Sequence, residues 1–426
     1  MRIFVEQSGY PLLNMGDLAM LQVAVSRLKS LWPNALIEVL TISPELLTRS
    51  CPQANPVLTK GQKIWLAPIS KGLYKRSPKF LGVHLSELEW WFRCNWPSVT
   101  KLLIQKRLKK NSSQDDLKDF ELFLEAVEKA DLVVAAGGGY ITDTFEQKTR
   151  ITLSILGLAK RLGKPTVMLG HGLGPLQKPE LRHKAKAVLS SVDLISLREK
   201  RAGIQLLNSL NVPQSHVVVT GDDAIEMAYE ARSEEIGGGI GINLRVAEYS
   251  GVNTGVVEAI RLALQEFAIQ KNVPLLPVPI ELRPPDSDVE TIQKLLAGYD
   301  NASDGGQSLN TPLKVIQQAG RCRVVVTGSY HAGVFSLSQG IPIIGLAKSA
   351  YYKDKFLGLA DQFGIGCEVV LLDDEQLQQK LTASINRAWC TADEVRPQLL
   401  AAAKRQINLG HSAYKRVHEL IESRRS

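Results

Sequence analysis

Val324-Val-Val-Thr327-Gly328-Ser329-Tyr330-His331-Ala332-Gly333, followed by Leu337-Ser-Gln-Gly340-Ile341-Pro342-Ile343-Ile344-Gly345, is the stretch that decides the fold. A β-branched run ends in a turn of small residues, a helical stretch follows, and a second β-branched run opens after Gly-Ile-Pro. That order makes a strand, a covering helix and a second, parallel strand. The turn sets a hydroxyl and an imidazole at the start of a helix, where free N–H groups and the helix dipole favour an anion. His331 beside such an anion is a candidate for moving a proton.

The same alternation extends in both directions. Upstream, strands are expected at Ile3–Val5, Leu36–Leu40, Asp131–Ala136, Thr166–Leu169, Asp193–Leu197 and Val217–Val219. Helices fall between them, the first with Leu18, Leu21, Val25 and Leu28 on one face. Residues 226–239 are polar and end in three glycines. The pattern then restarts with strands expected at Ile240–Leu244, Pro274–Val278, Val324–Thr327, Ile341–Leu346 and Glu368–Leu372. From Glu394 onward one or two polar-faced helices are expected. This predicts an α/β chain of two Rossmann-like domains facing a cleft, spanning 1–226 and 238–426.

Residues 60–110 break the alternation and read as an insertion in the first domain. They hold twelve Lys or Arg and two acids, a surplus of +10 in a chain whose total is +8. The basic character therefore belongs to one segment. It also holds Trp65, Trp90, Trp91 and Trp96, with Tyr74, Phe80 and Phe92. A helical cap with solvated lysines, a surface for an anionic or lipid-linked glycan or an anionic membrane, and a nucleic-acid surface are all compatible with that composition. No nucleic-acid-binding motif accompanies the charge, so nucleic acid is not expected as a partner.

The composition, 44% hydrophobic and 22% charged, excludes a largely disordered chain. No apolar run approaches the ~18 residues of a transmembrane helix. The N-terminus lacks the features of a cleavable signal and is read as mature. Five scattered cysteines without a CxxC pair suggest neither a zinc site nor a disulfide framework, and a cytoplasmic location is expected.

In open parallel sheets ligands lie beyond the carboxyl ends of the strands. Besides the His331 turn, four strand-end loops carry unusual residues. Asn14-Met-Gly16-Asp17 opens the first helix; Asn14 or Asp17 caps it, or the loop lines the cleft. Gly137-Gly138-Gly139-Tyr140 lets a ligand lie against bare backbone or makes a tight turn, and it lacks the GxGxxG dinucleotide spacing. His171, between Gly170 and Gly172, is expected to be reachable. Arg198 and Arg245 end corresponding strands in the two halves and suit a carboxylate or phosphate, with a surface ion pair as the alternative. Asp222-Asp223 reads as a helix cap before a cation site, and no metal is required.

Together these loops resemble the polysaccharide pyruvyl transferase family, in Asn14–Asp17, Ala136–Gly139, Gly172–Pro175, Ser196–Arg198, Gly221–Asp223, Gly241–Arg245 and Gly328–His331 with Gln339–Gly345. The resemblance runs from about residue 9 to 364, outside the insertion. It implies a glycosyltransferase-B-like fold and transfer of a pyruvyl group from phosphoenolpyruvate to a sugar of a polysaccharide or lipid-linked glycan precursor, as a ketal. No nucleotide or other cofactor is implied. Exopolysaccharide or cell-envelope biosynthesis in the cytoplasm would follow, with peripheral contact at the inner face of the membrane through 60–110 as an option. His331, then His171, are the candidate acid/base groups. Arg198, Arg245, Gly328, Ser329 and Tyr330 are the candidate donor-binding residues. Asn14, Gly16, Asp17, Gly137, Gly138, Gly139 and Tyr140 would line the cleft or the acceptor site. The family usually has Arg-Leu-His where this chain has Ser329-Tyr330-His331. With that donor-holding arginine replaced at Tyr330, either Arg198 and Arg245 hold the anion or the donor site has changed. A sugar-nucleotide glycosyltransferase of the same fold, and a non-catalytic glycan- or membrane-binding relative, are the alternatives.

Overall fold

The structure, a computed structural model, describes residues 1–7, 9–69, 79–245, 254–300 and 303–425, with the side chains of 79–86, 111 and 254 excluded. Tyr74 and the side chain of Phe80 lie outside the described residues. The first sheet comprises β1 (Arg2–Glu6), β2 (Leu36–Thr41), β3 (Ala54–Leu58), β4 (Leu132–Ala135), β5 (Gly138–Ile141), β6 (Thr166–Leu173), β7 (Leu194–Leu197) and β8 (Val217–Val219). Its order is β3-β2-β1-β4-β6-β7-β8, with β5 paired to β6. The second sheet comprises β9 (Gly239–Asn243), β10 (Leu275–Pro277), β11 (Cys322–Thr327), β12 (Ile343–Ala347) and β13 (Cys367–Leu371), ordered β10-β9-β11-β12-β13. The named strands pair in parallel throughout. In each sheet the order reverses between two central strands, β1 and β4 or β9 and β11. The carboxyl ends part there and leave a crevice.

Two departures from the sequence reading matter for the site. The three glycines expected to form a loop instead lead into β5, whose Gly138 pairs with His171 and Ile141 with Leu173. That partner carries β6 four residues beyond Leu169, so His171 sits inside the sheet. Ala54–Leu58 was not read as a strand; its Pro56 is tolerated because β3 is an edge strand.

The helix Met15–Leu31 shows why the two halves dock. Leu18, Leu21, Val25 and Leu28 are buried, as their spacing predicts, but so are Ala19, Met20, Val23 and Ala24. Burial thus spreads beyond a single apolar stripe, with Ser26 and Ser30 left exposed. The helix lies between the lobes and belongs to one continuous core with Val5 and Val134 of the first sheet, Val325 of the second and Phe335 of the helix Tyr330–Ser338. The helix Tyr330–Ser338 is likewise buried along its whole length.

The chain ends in one 46-residue helix, Leu377–Glu422, that contains Pro397. It is longer than the one or two helices expected from Glu394. Its first part, with Leu381 and Ile385, packs into the core of the second sheet. Its second part crosses to the first lobe, where Ala402, Tyr414 and Val417 join the core shared with Met15–Leu31. The boundary at 226–238 thus separates the sheets but not the packing. Arg27 fastens this return: it bonds Asp223 at 2.7 Å and Glu226 at 2.6 Å, and Tyr414 donates to Asp223 at 2.9 Å.

The insertion forms the helices Thr59–Leu66, Lys79–Asn95 and Pro97–Asn111. Trp65 is 1% exposed and stacks on Phe120, so this tryptophan is core. Among the described residues, no helix is long and apolar enough to cross a membrane.

Arg27→Ala removes a buried cation from two carboxylates and leaves Asp223 buried with its charge uncompensated. A loss of about 3–5 kcal/mol in unfolding free energy is expected from urea denaturation.

Candidate active site

Four of the five loops meet at the carboxyl ends of both sheets around a cleft of about 700 Å³, and the His171 loop does not line it. Asn14, Asp17, Gly139, Tyr140, Lys148 and Arg198 line it from the first lobe. Arg245, Glu281, Arg283, Ser329, Tyr330, His331 and Lys355 line it from the second. Five lysine and arginine side chains therefore face two carboxylates, Asp17 and Glu281, and the cleft has a surplus of basic groups.

Asp222 organises its floor. One carboxylate oxygen lies 3.4 Å from Arg198 and 3.6 Å from His331 Nε2, while the other accepts the Ala224 N–H at 3.0 Å. The sequence reading of Asp222 as a helix cap accounts for the second contact only. Burial opposes ionisation of this carboxyl, but His331 and Arg198 outweigh it and hold its pKa below the usual carboxylate range. The 3.6 Å separation from His331 is an electrostatic contact, too long for a hydrogen bond.

Arg198 is 2% exposed, and its ring-stacking partner is Tyr330, whose centroid lies 4.0 Å from the guanidinium carbon. Burial works against its charge; Tyr330 and Asp222 reverse the balance and raise its pKa. Its Nε is buried with no hydrogen-bond partner among the described residues. Two glycines make room for it: a Cβ on Gly139 would lie 2.5 Å from Arg198 Nη2, and one on Gly172 would lie 2.7 Å from Nε. A buried guanidinium with an unsatisfied donor at the wall of a cleft is the arrangement an incoming anion completes.

Arg245 is placed differently. It makes a two-point pair with Asp288, at 3.0 and 3.2 Å, and Asp288 also accepts from Asn243 and the Ile280 and Glu281 N–H groups. Arg245 thus lines the cleft with its guanidinium held rigid.

Lys355 was missed by the sequence reading. It sits in the helix Ala350–Phe363, which follows β12, and its ammonium lies 4.0 Å from the Tyr351 ring centroid. Burial, reinforced by the nearby Arg198, pulls its pKa well below that of an ordinary lysine. The signal was present: β12 ends at the same sheet edge, and Tyr351-Tyr352 with Lys355 puts aromatics and a cation on one turn of the next helix. Lys148, Arg283 and Glu281 were missed because they stand on loops and helix starts without a motif.

His171 is not reachable. It is fully buried, its Nε2 lies 3.0 Å from the Ala135 carbonyl oxygen, and it packs edge-on to Tyr140. Burial pushes its pKa down to about 4, so it stays neutral. The expected loop histidine is therefore a core residue, fixed by the extension of β6. Gly137 packs against Met20, and Gly328 lies beside the Arg245 backbone; neither lines the cleft. Gly138 forms the first residue of β5. Asn14 caps the first helix by accepting from the Gly16 and Asp17 N–H groups, both at 3.1 Å, while its amide reaches Glu281 at 3.4 Å. Ser329 is the N-cap residue of Tyr330–Ser338, without a side-chain cap bond. Among the described residues no cluster of three or more His, Cys, Asp or Glu is arranged to hold a metal.

Gly16 acts from behind the cleft. A Cβ there would fall 2.0 Å from His331 Cγ, so the first helix can approach the imidazole only through glycine. Gly16→Ala is expected to drive the ring away from Asp222 while the protein stays folded. The His331 side-chain position in a variant structure, or its NMR titration, measures this.

The chain has remote likenesses to solved structures. A putative UDP-N-acetylglucosamine 2-epimerase from Listeria monocytogenes superposes with a TM-score of 0.57 at 12% identity, covering 99% of this chain and 96% of that one. The UDP-GlcNAc 2-epimerase of Neisseria meningitidis bound to UDP-GlcNAc gives 0.52 at 13% identity, covering 99% and 100%. A UDP-glucose:anthocyanidin 3-O-glucosyltransferase in complex with UDP gives 0.54 at 11%, covering 99% of each. At these identities they bear on the fold alone, which is glycosyltransferase-B-like. No curated protein sequence matches significantly. The family model of the polysaccharide pyruvyl transferases, however, matches residues 14–349, from the cap of the first helix past His331 and β12. The chain belongs to the polysaccharide pyruvyl transferase family, and it is a transferase.

Proposed function

We propose that the cleft takes phosphoenolpyruvate as donor and forms a pyruvyl ketal across two hydroxyls of a glycan acceptor. The observation that carries this reading is the cluster of Arg198, Lys355 and the Asp222–His331 pair where the two lobes meet in the cleft. The donor has a carboxylate and a phosphate a few ångströms apart. Arg198 and Lys355, with the rigid Arg245 in the same cleft, supply cations for both, and the start of Tyr330–Ser338 adds backbone N–H groups. An anion arriving beside Lys355 also restores its charge.

The chemistry follows from the groups present. A proton added to the donor methylene makes a methyl and an oxocarbenium-like centre, which one sugar hydroxyl attacks as it loses its proton. Phosphate then leaves, and the second hydroxyl closes the ketal and loses its proton. Of the two hydroxyl protons, one balances the proton taken up by carbon and the other leaves with phosphate. His331 is the group for these transfers, with its Nε2 3.6 Å from Asp222. Asp222 stabilises the protonated ring without exchanging a proton. The buried Arg198 and the half-buried Lys355 oppose the growing charge on the departing phosphate. The Tyr330 departure is compatible with this donor, because its ring backs Arg198 and Lys355 supplies a further cation.

His331→Asn is expected to lower acceptor-dependent phosphate release from phosphoenolpyruvate by roughly 10²–10⁴-fold with little change in donor affinity. Normal turnover by this variant removes His331 from its role.

We also propose that the insertion rests on anionic membrane, which suits a lipid-linked acceptor. The helices Lys79–Asn95 and Pro97–Asn111 expose Leu88, Trp91, Trp96, Val99, Leu102 and Leu103, with Trp91 and Trp96 47% and 46% exposed. Lys106, Lys109 and Lys110 stand exposed beside them. Aromatic and aliphatic side chains flanked by lysines match a headgroup layer of negative charge. Protein should co-sediment with phosphatidylglycerol vesicles and not with phosphatidylcholine vesicles. The Trp91→Ser, Trp96→Ser double variant should lose that binding; unchanged sedimentation contradicts it.

A further inference from the structure

A second, larger hollow of about 1510 Å³ lies between the insertion and the first lobe. Its charged lining is one-sided: Lys63, Arg93, Lys148, Arg150 and Lys184 line it, and among the described residues no Asp or Glu does. Its apolar wall includes Trp90. Lys148 lines this groove and also the cleft, so the two open onto a common side chain.

Two of the cations are already committed. Arg150 pairs with Glu146 at 2.8 Å and with Glu180 at 3.5 Å, and Arg93 pairs with Glu89 at 3.3 Å. Lys184 is the anomaly. It is 5% exposed, and its ammonium lies 5.2 Å over the Trp90 ring with no carboxylate within 4 Å among the described residues. A buried ammonium without a counter-ion is costly to keep charged, unless an anion joins it.

We propose that this groove is an acceptor subsite that binds a phosphate or diphosphate group on the sugar to be modified. The phosphate sits among Lys184, Arg150 and Lys63, and the sugar reaches the cleft past Lys148. The substrate class is a glycosyl phosphate, either lipid-linked or soluble. The identity of the bound molecule as acceptor rests on the pyruvyl-transfer reading. The anion binding itself does not.

Burial, with Arg150 nearby, pulls the Lys184 pKa down to about 8. Arg93, Glu87 and Cys94 face it from the helix Lys79–Asn95, and Arg150 from Glu146–Arg161. Cys94 is pushed up to about 11 and stays a thiol where Lys184 titrates. Anion affinity should therefore fall as pH rises through about 8, since only the protonated lysine attracts the ligand.

The test is calorimetric titration of the full-length protein with inorganic pyrophosphate, without phosphoenolpyruvate. Lys184→Gln should weaken binding about tenfold or more. Lys63→Gln, an exposed position that does not threaten folding, should weaken it about threefold. Arg245→Gln in the cleft should leave it within about twofold. Wild-type affinity in both lysine variants overturns the proposal, as does loss confined to Arg245→Gln, which would seat the pyrophosphate in the cleft. Farnesyl diphosphate in micelles and glucose 1-phosphate then separate the sources. Displacement of pyrophosphate mainly by the first supports a lipid-linked acceptor, and equal displacement supports a soluble one. Displacement by neither overturns the subsite. Because no turnover is needed, failure here and failure of pyruvyl transfer are separate results.

Discussion

The candidate site depends on one buried carboxylate. Asp222 comes from the last loop of the first sheet, has no exposed side-chain surface, and stands between Arg198 of its own lobe and His331 of the other. A lone charge there would be untenable; the Arg198 guanidinium and the facing His331 ring make it stable, and the carboxylate in turn helps to hold the charge of Arg198. Remove it, and Arg198 loses its carboxylate and His331 loses the group that faces its Nε2. Arg198 and His331 lie on opposite lobes, so this charge also sets how closely the sheets approach.

That approach is held by more than charge. Backbone bonds join Met15 to Ile280 at 2.7 Å and Leu282 to Leu13 at 2.9 Å. Tyr351 donates to the Gly139 carbonyl at 2.8 Å, and Gln362 to that of Arg198 at 2.7 Å. Each of these last two fixes a residue of the cleft from across the gap. The glycines of the motifs are explained by the same closeness. Gly16, Gly139 and Gly172 are the places where a helix or strand must lie against His331 or Arg198 with no side chain between. Their value is the space they leave for an imidazole and a guanidinium.

The fold was legible because β-branched runs separated by helical periods leave few alternatives to parallel sheets, and nearly every expected strand lies within two residues of an observed one. The exceptions have physical causes. β3 carries a proline that only an edge position excuses, and β6 runs on through Gly170-His171-Gly172 because β5 pairs with it, which no local pattern reveals. That extension is why His171 looked like a loop residue and is a core one. At the site, strand-end residues such as Arg198, Arg245 and His331 could be read from their position after β-branched runs. Lys148 could not be weighted, because a lysine on a helix is ordinary until the fold sets it in the cleft; Lys355 had only the neighbouring Tyr351-Tyr352 to mark it. Asp222 read as a cap because one of its oxygens does serve that way.

The most direct measurement is a structure of the protein with phosphoenolpyruvate bound and no acceptor present. The account predicts a donor oxygen within about 3.2 Å of both Arg198 and Lys355, with the methylene carbon turned toward His331. A donor seated away from Arg198, or a cleft that takes up UDP in its place, would contradict it.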